Sequence, residues 1–354
     1  MNSIFDLTLE ELESILVENG FKKFNATQVF EGIYKKRVTS FDEITNISKE
    51  LKAFLNNNYE LKYLNVLEEL KSIDTNKYLL EVKDSSIEVV LMKHNYGNSI
   101  CISTQIGCNM ACAFCESGKL KKVRNLSTSE IILEVLTIEK LENIKVDNIV
   151  VMGIGEPFDN FTNLVKAIKI LNCPKGIDLG SRRITVSTCG IVPKIKEFAD
   201  LDTQVNLAIS LHAPNQTIRE SLMPISKAYK MDELMSAVDY YISKTNRKVT
   251  MEYILLEGIN DSIENAKELA SLLKGKLVYV NLIPYNSTSS NFKRSSKEKI
   301  NAFYDELVKN KINVQMRREM GKGIKGACGQ LKACLLYTSP SPRDAHESRM
   351  PSSA

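Results

Sequence analysis

The chain from about residue 99 onward is built from short apolar runs that alternate with helical stretches. The runs are rich in β-branched residues and lie at Ile100–Gln105, Asn148–Met152, Ile184–Thr188, Val205–Leu211, Val249–Leu255, Val278–Ile283 and Asn313–Met316. The helical stretches include Ser129–Leu141, Asn163–Leu171, Met231–Ser243, Ser262–Leu273 and Lys297–Lys309. Repeated strand–helix units predict a parallel sheet, and six or seven units are too few for a complete eight-fold barrel. We therefore predict an α/β fold with a partial (βα)6-type barrel.

The N-terminal residues follow a different pattern. Thr8-x-x-Glu11 is typical of a capping box that begins a helix. Two more helical stretches and two alternating segments follow, at 26–36, 49–56, 78–82 and 88–92. The alternating segments predict a hairpin. We predict a small helical accessory domain with a short hairpin at 1–95, followed by the barrel domain at 96–335.

The C-terminal segment 336–354 is rich in serine and proline and has no periodicity. It resembles translated sequencing-adapter text. We therefore interpret it as a non-native or disordered tail, and His346 within it carries no functional weight.

Composition narrows the class of protein. Hydrophobic residues make up 43% of the 354 residues and charged residues 25%, which is typical of a globular chain. The sequence has no run near the roughly 20 apolar residues of a membrane helix, and its acidic, amphipathic N-terminus is unlike a signal peptide. We predict a cytoplasmic protein without a membrane partner. The eight cysteines are then not a disulfide framework.

The net charge of +4 is a weak indication of partners. Basic residues cluster at 35–37 and at 119–124, the second cluster directly after a cysteine triplet. Such clusters either follow a phosphate backbone or form a solvated face, and the sequence leaves both interpretations open.

The triplet Cys108-x3-Cys112-x2-Cys115 lies in GCNMACAFCESG, directly after the first barrel strand. Three thiolates within one short loop can bind a 4Fe–4S cluster and leave one iron open for another ligand. The alternative is a structural zinc site, which usually has four ligands in Cys-x2-Cys pairs. Because the sequence has no second pair, the spacing favours the cluster.

The triplet and several further segments resemble the RlmN family of radical S-adenosylmethionine (SAM) enzymes. The similarity extends from residue 1 to about residue 331 and includes CISTQIGC, RNLSTSEI, VVMGIGEPFDN, RRITVSTCGIVP, AISLHAPN, VNLIPYN and GACGQL. It implies methylation of adenine C2 in 23S ribosomal RNA, and in some members transfer RNA. It further implies an accessory domain that binds RNA, a flavodoxin or ferredoxin as electron donor, and a monomer.

The resemblance also implies a carrier mechanism. Adenine C2 is not nucleophilic, so it cannot take a methyl group from SAM directly. In the family, one SAM methylates a cysteine and a second provides the radical that activates this methyl group. A second cysteine then releases the adduct by forming a disulfide.

Three residues match the family positions for this mechanism. Cys328 matches the methyl-carrying cysteine, and its glycine-rich setting also argues against the ordinary role of a small buried hydrophobe. Cys101 matches the resolving cysteine that pairs transiently with Cys328. Glu88 matches the acceptor of the adenine C2 proton. Without the resemblance, Cys101 and Glu88 would be read as ordinary strand residues.

Polar residues follow the carboxyl ends of four predicted strands, where open α/β folds collect ligand groups. With the resemblance, they imply a SAM site formed by Gly155, Glu156, Ser187, Ser210, Leu211, His212 and Asn286. A single histidine such as His212 is more often structural than catalytic, so we predict only a contact with SAM for it.

Two alternatives remain. The related Cfr-type enzymes methylate adenine C8, but they typically have alanine after the glutamate where this chain has Pro157. A non-catalytic RNA-binding factor with the same fold is the second. The chain also has Lys322 and Lys325 where the family usually carries acidic residues before the carrier cysteine.

Overall fold

The computed structural model of the chain describes residues 1–318, 320–321, 324–327 and 329–331. Two predictions fall outside these residues, namely the carrier Cys328 and the tail at 336–354. In the described part of the chain, no helix combines the length and the apolar character needed to cross a membrane.

The N-terminal region is mainly helical, and two very short strands pair in parallel at its ends. Its elements are β1 (Asn2–Ser3), α1 (Leu9–Glu18), α2 (Lys23–Tyr34), α3 (Lys49–Asn58) and β2 (Tyr59–Glu60). The predicted capping box of α1 is confirmed. The Thr8 hydroxyl accepts from the Glu11 N–H, and the Glu11 carboxylate accepts from the Thr8 N–H at 2.8 Å.

Three antiparallel strands lead from this region into the main sheet. They are β3 (Val66–Lys71), β4 (Thr75–Val82) and β5 (Ser85–His94). β4 and β5 confirm the predicted hairpin. β3 is missing from the sequence prediction, because most of its residues are exposed and its sequence VLEELK has no clear apolar alternation.

The remaining strands form the barrel sheet and one small separate pair. They are β6 (Gly97–Ile102), β7 (Gln105–Ile106), β8 (Arg124–Asn125), β9 (Asn148–Val151), β10 (Ile184–Thr188), β11 (Asn206–Ser210), β12 (Val249–Leu255), β13 (Val278–Pro284) and β14 (Val314–Met316). The main sheet has the order β14-β13-β12-β11-β10-β9-β6-β5-β4-β3, and its strands from β14 to β6 are parallel. The predicted partial barrel is confirmed, and the antiparallel hairpin extends its sheet.

Helices connect the parallel strands. They are α4 (Thr128–Glu142), α5 (Phe161–Asn172), α6 (Val192–Ala199), α7 (Gln216–Leu222), α8 (Met231–Thr245), α9 (Ile263–Leu273) and α10 (Lys297–Lys309). All five of the helical stretches predicted for the barrel are present. The sequence prediction lacks α6 and α7, which have only eight and seven residues and therefore show no clear helical period.

The helix α4 joins the N-terminal helices to the barrel, and its side chains from Thr128 to Glu139 are all buried. On one side, the Asp6 carboxylate accepts from the Ser129 N–H at 2.7 Å. On the other, the Glu134 carboxylate accepts from the Ser103 N–H at 2.8 Å. One apolar core therefore continues from the N-terminal helices through α4 into the barrel.

We predict that the ion pair between Arg37 and Glu139 stabilises this junction. The Glu139 side chain is only 6% exposed, so Arg37→Met leaves a buried carboxylate without its counter-ion. The free energy of unfolding should fall by about 2 kcal/mol in urea titrations. Lys35→Met is the matched control, because the Lys35–Glu31 pair is solvent-exposed and should contribute less than about 0.5 kcal/mol. Equal losses in the two variants would contradict the prediction.

Candidate active site

The carboxyl ends of the parallel strands meet around one cavity, here called the cysteine cavity. Its lining includes eight of the residues predicted for the cluster and SAM, namely Cys108, Cys112, Cys115, Gly155, Glu156, Ser187, Ser210 and His212. The cysteines come from the loop after β7, and the other residues end or follow β9, β10 and β11. The carboxyl ends of neighbouring parallel strands lie at the same edge of a sheet, which explains this convergence.

The cysteine loop is closed by backbone contacts. β7 pairs with β8, and the Cys108 N–H donates to the Leu120 carbonyl at 2.9 Å. Gly107 has a φ of +73°, and a Cβ atom there would lie 2.2 Å from a carbonyl oxygen of the same loop, so only glycine fits. The Ala113 N–H donates to the Leu222 carbonyl at 2.9 Å, which ties the loop to the end of α7.

The cysteine side chains lie in apolar surroundings. Cys112 and Cys115 pack against a buried cluster that includes Phe114 and Met223. Burial raises the pKa of the Cys108 thiol to about 11, and it raises the pKa of Cys112 well above its ordinary value. Bound metal is therefore needed to favour the thiolates. In the described residues, no three His, Cys, Asp or Glu side chains are arranged to hold a single metal ion.

This donor set fits an iron–sulfur cluster. Thiols alone, in an apolar pocket, are the ligands that such clusters use in proteins. The adjoining strand ends offer carboxylate, hydroxyl and imidazole groups, which are the polar partners that a SAM molecule requires.

Glu156 fastens the end of β9 to the segment after β10. Its carboxylate accepts from the Phe158 N–H at 2.9 Å and from the Cys189 N–H at 2.8 Å. Its own N–H donates to the Gln105 side chain at 2.9 Å. Burial raises the pKa of the Glu156 carboxyl, while the two backbone donors act in the opposite direction. The carboxylate is thus held in place at the cavity wall by the main chain.

His212 is a neutral imidazole two residues after the end of β11. Its Nδ1 accepts from the Ile254 N–H at 3.1 Å, so the proton lies on Nε2. Burial, with a smaller effect of the Arg219 charge, lowers the pKa of His212 to about 3. The residue is therefore an uncharged hydrogen-bond donor at ordinary pH.

A second cavity, here called the lumen cavity, adjoins the cysteine cavity and has a volume of about 370 Å³. Its lining includes Val90, Met92, Ser99, Cys101, Tyr279, Asn281 and Asn286. Both cavities are lined by Met152, Ile283, Arg317 and Leu331. The predicted resolving residue Cys101 and the predicted SAM contact Asn286 therefore lie across a shared wall from the cysteine triplet.

The described residues on both sides of Cys328 line the two cavities. Gly326 and Ala327 lie at the lumen cavity together with Cys101. Gly329 lies at the cysteine cavity. The described residues before and after position 328 therefore lie at the two adjoining cavities, and Cys328 itself is outside the described residues.

This segment is bound to the cysteine loop directly after the last predicted cluster ligand. The Glu116 N–H donates to the Gly329 carbonyl at 3.0 Å. The Ser117 hydroxyl donates to the Leu331 carbonyl at 2.9 Å. The cysteine loop and the carrier segment therefore support each other's position.

Glu88 lies on β5, on the same face as Val90 and Met92, because side chains alternate along a strand. Those two neighbours line the lumen cavity, whereas Glu88 is not part of the lining. The Glu88 side chain is buried, and its carboxylate lies 2.7 Å from the Lys77 ammonium on β4. The predicted proton acceptor Glu88 thus lies on the same strand face as two residues of the lumen cavity, outside the lining of that cavity and next to the Lys77 ammonium.

The predicted SAM site includes one residue whose side chain lies elsewhere, and the prediction lacks two residues at or beside the cysteine cavity. The Leu211 side chain packs into the main apolar core and does not line the cysteine cavity. Glu252 lines that cavity from the middle of β12, and Arg219 lies fully buried beside it. A carboxylate inside the apolar run VTMEYIL and an arginine between Ile218 and Leu222 on a short helix are the signals that identify these two in the sequence.

We predict that Gly155 is required by the packing of the strand end. Its φ is +102°, and a Cβ atom there would lie 2.6 Å from the Gln105 Cβ. Gly155→Ala should lower thermal stability and weaken SAM binding in equilibrium dialysis. Gly258→Ala is the matched control, because Gly258 has a φ of +71° but no atom within 4 Å of the added carbon. Equal effects of the two substitutions would refute a role for the clash.

Comparison with known proteins agrees with this geometry. Residues 102–270 match the family model of the radical SAM superfamily, and residues 2–61 match that of the ribosomal RNA large subunit methyltransferase N-terminal domain. A probable dual-specificity RNA methyltransferase RlmN from Spiroplasma citri is 55% identical over 338 residues, which cover 94% of this chain and 98% of the relative. The protein of the same name from Acholeplasma laidlawii is 52% identical over 333 residues, with 93% and 98% covered.

A solved structure agrees with these matches. The radical SAM methyltransferase from Sphaerobacter thermophilus has 40% identity and a TM-score of 0.89, with 94% of this chain and 99% of that chain covered. The extent of these similarities includes both the helical N-terminal region and the barrel. The chain therefore belongs to the RlmN family of radical SAM proteins.

Proposed function

We propose that the protein is a radical SAM methyltransferase that transfers a methyl group to C2 of an adenine in 23S ribosomal RNA, with two SAM molecules used per turnover. The observation that carries this proposal is the shared wall of the two cavities. The cysteine triplet lines one cavity, and Cys101 and Ala327 line the other. A carrier mechanism needs this arrangement, because a methyl group must pass from a cofactor site to a separate nucleobase site.

The cofactors are a 4Fe–4S cluster and SAM, as in the radical SAM superfamily. For the cluster we propose the ligands Cys108, Cys112 and Cys115. For SAM we propose a site formed by Gly155, Glu156, Ser187, Ser210, His212 and Asn286. Leu211 was predicted with them, but its side chain packs into the main core, so we leave it out. When bound, the cofactors supply the methyl group and a radical that abstracts hydrogen. The apolar pocket around the thiols and the polar groups at the strand ends support these assignments.

The lumen cavity is the proposed site of the adenine ring. Its volume of about 370 Å³ lies in the range of roughly 300–1,000 Å³ typical of small-ligand sites. Asn281 at its wall offers an amide group that can bind the edge of a base. The ring would then lie next to Cys101 and to the segment on either side of Cys328.

Three side chains carry out the proposed transfer. The Cys328 sulfur holds the methyl group and presents its carbon to adenine C2. The Glu88 carboxylate accepts the proton that leaves C2, with Lys77 holding the carboxylate in place. The Cys101 thiolate attacks the Cys328 sulfur, so that the bond from this sulfur to the transferred carbon breaks and a transient disulfide forms. The electron pair of the broken bond stays with the carbon on the adenine, which takes up a proton and becomes the methyl group.

C2 is the favoured position on the ring over C8. The similar relatives are named RlmN, and Pro157 follows Glu156 where Cfr-type enzymes typically have alanine. Pro157 begins a 3-10 turn directly after Glu156, and its fixed φ suits this first position.

The proposed partners follow from the RNA substrate. We propose that residues 1–95 form a domain that binds RNA, that 96–335 form the catalytic domain, and that transfer RNA is a second substrate. We further propose that the monomeric enzyme acts in the cytoplasm, with flavodoxin or ferredoxin as the electron donor. The match of residues 2–61 to a ribosomal RNA methyltransferase N-terminal domain supports the first of these assignments.

Nucleoside mass spectrometry tests the proposed reaction. The full chain is reconstituted anaerobically with iron and sulfide, reduced, and incubated with SAM and with unmethylated ribosomal or transfer RNA. We predict a brown protein that cleaves SAM and produces 2-methyladenosine. A main product of 8-methyladenosine would contradict the C2 assignment. A colourless protein that binds zinc and does not turn over SAM would contradict the enzyme assignment and favour an RNA-binding factor.

The carrier role of Cys328 is tested separately. Cys328→Ala should abolish methyl transfer and leave the iron content and the absorption spectrum of the cluster unchanged. Cys173→Ala is the matched control, because Cys173 directly follows α5 and packs against the main core, and it lines neither cavity. It should retain methyl transfer. Persistent transfer by the Cys328 variant would exclude the proposed carrier mechanism.

A further inference from the structure

Arg219 on α7 has a fully buried guanidinium, with 0% of the residue exposed. The group donates hydrogen bonds in several directions. Nη1 donates to the Ser226 hydroxyl at 2.9 Å, and Nη2 donates to the Cys189 carbonyl at 2.6 Å. Further bonds reach the Ser210 carbonyl at 3.2 Å and the Leu211 carbonyl at 3.3 Å. The cation is thus held rigidly behind the ends of β10 and β11.

All of these acceptors are neutral. Among the residues that the structure describes, no carboxylate forms an ion pair with Arg219. A buried charge without a counter-ion is unfavourable, and arginine is almost never fully buried unless it is paired. The fold therefore keeps an uncompensated positive charge at this position.

The positive charge of Arg219 lies directly behind the cysteine cavity. Cys189, whose carbonyl accepts from Arg219, lines that cavity. The end of α7 also binds the cysteine loop, since the Leu222 carbonyl accepts from the Ala113 N–H at 2.9 Å.

We propose that Arg219 is the buried counter-charge of the iron–sulfur cluster and raises the cluster's reduction potential. This inference rests on the proposed assignment of Cys108, Cys112 and Cys115 as the cluster ligands. Three thiolates outweigh the charge of the oxidised core, so the bound cluster is an anion. The negative charge of the cluster then compensates the positive charge of the Arg219 guanidinium. No carboxylate in the described structure pairs with this guanidinium.

The electron balance gives the direction of the effect. In the reduction, one electron passes from an external low-potential donor to the oxidised cluster, and no bond or proton changes place. The negative charge of the cluster increases by one unit. A fixed cation in surroundings of low polarity therefore stabilises the reduced form over the oxidised form.

A purely structural role is the competing explanation, because the guanidinium also connects two segments of backbone and the Ser226 hydroxyl. A substitution that adds a charge near Arg219 but keeps the guanidinium distinguishes the structural role from the electrostatic role. Ser226 is fully buried and lies 2.9 Å from Nη1. Ser226→Asp places a carboxylate next to the Arg219 guanidinium and neutralises its electric field. Ser226→Asn is the control, because asparagine has nearly the same size as aspartate but no charge.

The test is a potentiometric titration of the reconstituted full chain with dithionite, followed by electron paramagnetic resonance of the reduced cluster. Ser226→Asp should shift the midpoint to a more negative value than in the unsubstituted protein, and Ser226→Asn should not. At a fixed potential, we expect the ratio of reduced to oxidised cluster to fall about tenfold, which corresponds to 59 mV for one electron. Full cluster content with an unchanged midpoint in Ser226→Asp would overturn the inference.

A second pair of variants serves if Ser226→Asp does not fold. Arg219→Lys keeps the charge and Arg219→Met removes it, while both lose the planar set of hydrogen bonds. The lysine variant should keep a higher midpoint than the methionine variant, and equal midpoints would overturn the inference. If the unsubstituted protein shows no reduced-cluster signal, the proposed cluster site fails instead, which is a distinct result.

Discussion

Ser103, directly after β6, is the point on which the geometry of the site depends. Its hydroxyl donates to the Glu88 carbonyl at 3.1 Å and accepts from the Ile154 N–H at 3.0 Å. Its N–H donates to the buried Glu134 carboxylate at 2.8 Å. One small residue thus connects β5, β6, the end of β9 and α4 in a region that excludes water. Because the cysteine loop begins a few residues later, its position relative to the strand ends is set here.

Similar side-chain contacts to the main chain hold the neighbouring strand ends. Glu156 binds the Cys189 N–H, and Arg219 binds the Cys189 carbonyl, so this peptide segment is held from both sides. His212 accepts from the Ile254 N–H and extends the same type of contact to β12. Buried polar groups need such partners, and here the partners are the backbone groups that leave the sheet at its carboxyl edge. The wall residues of the cavity therefore also hold the strand ends together.

Much of this arrangement follows from local sequence patterns. The parallel strands and five of the connecting helices have strong periodicity, and the cysteine triplet has a spacing that few other sites use. β3 is missed because its exposed, charged sequence has no buried face, and α7 is missed because seven residues are too few for a period. Leu211 shows a further limit, since its position beside Ser210 suggests a contact with SAM while its side chain packs into the core.

The sequence alone therefore determined the fold class, the cysteine triplet and the family to which the chain belongs, because each depends on short-range spacing or on many ordered motifs. Tertiary structure decided which distant groups meet. It placed Lys77 at the Glu88 carboxylate, the residues around position 328 at the wall between two cavities, and Arg219 behind the cysteine loop. The physical reason is that burial and ion pairing depend on strand order and register, and these are properties of the whole sheet rather than of any one segment.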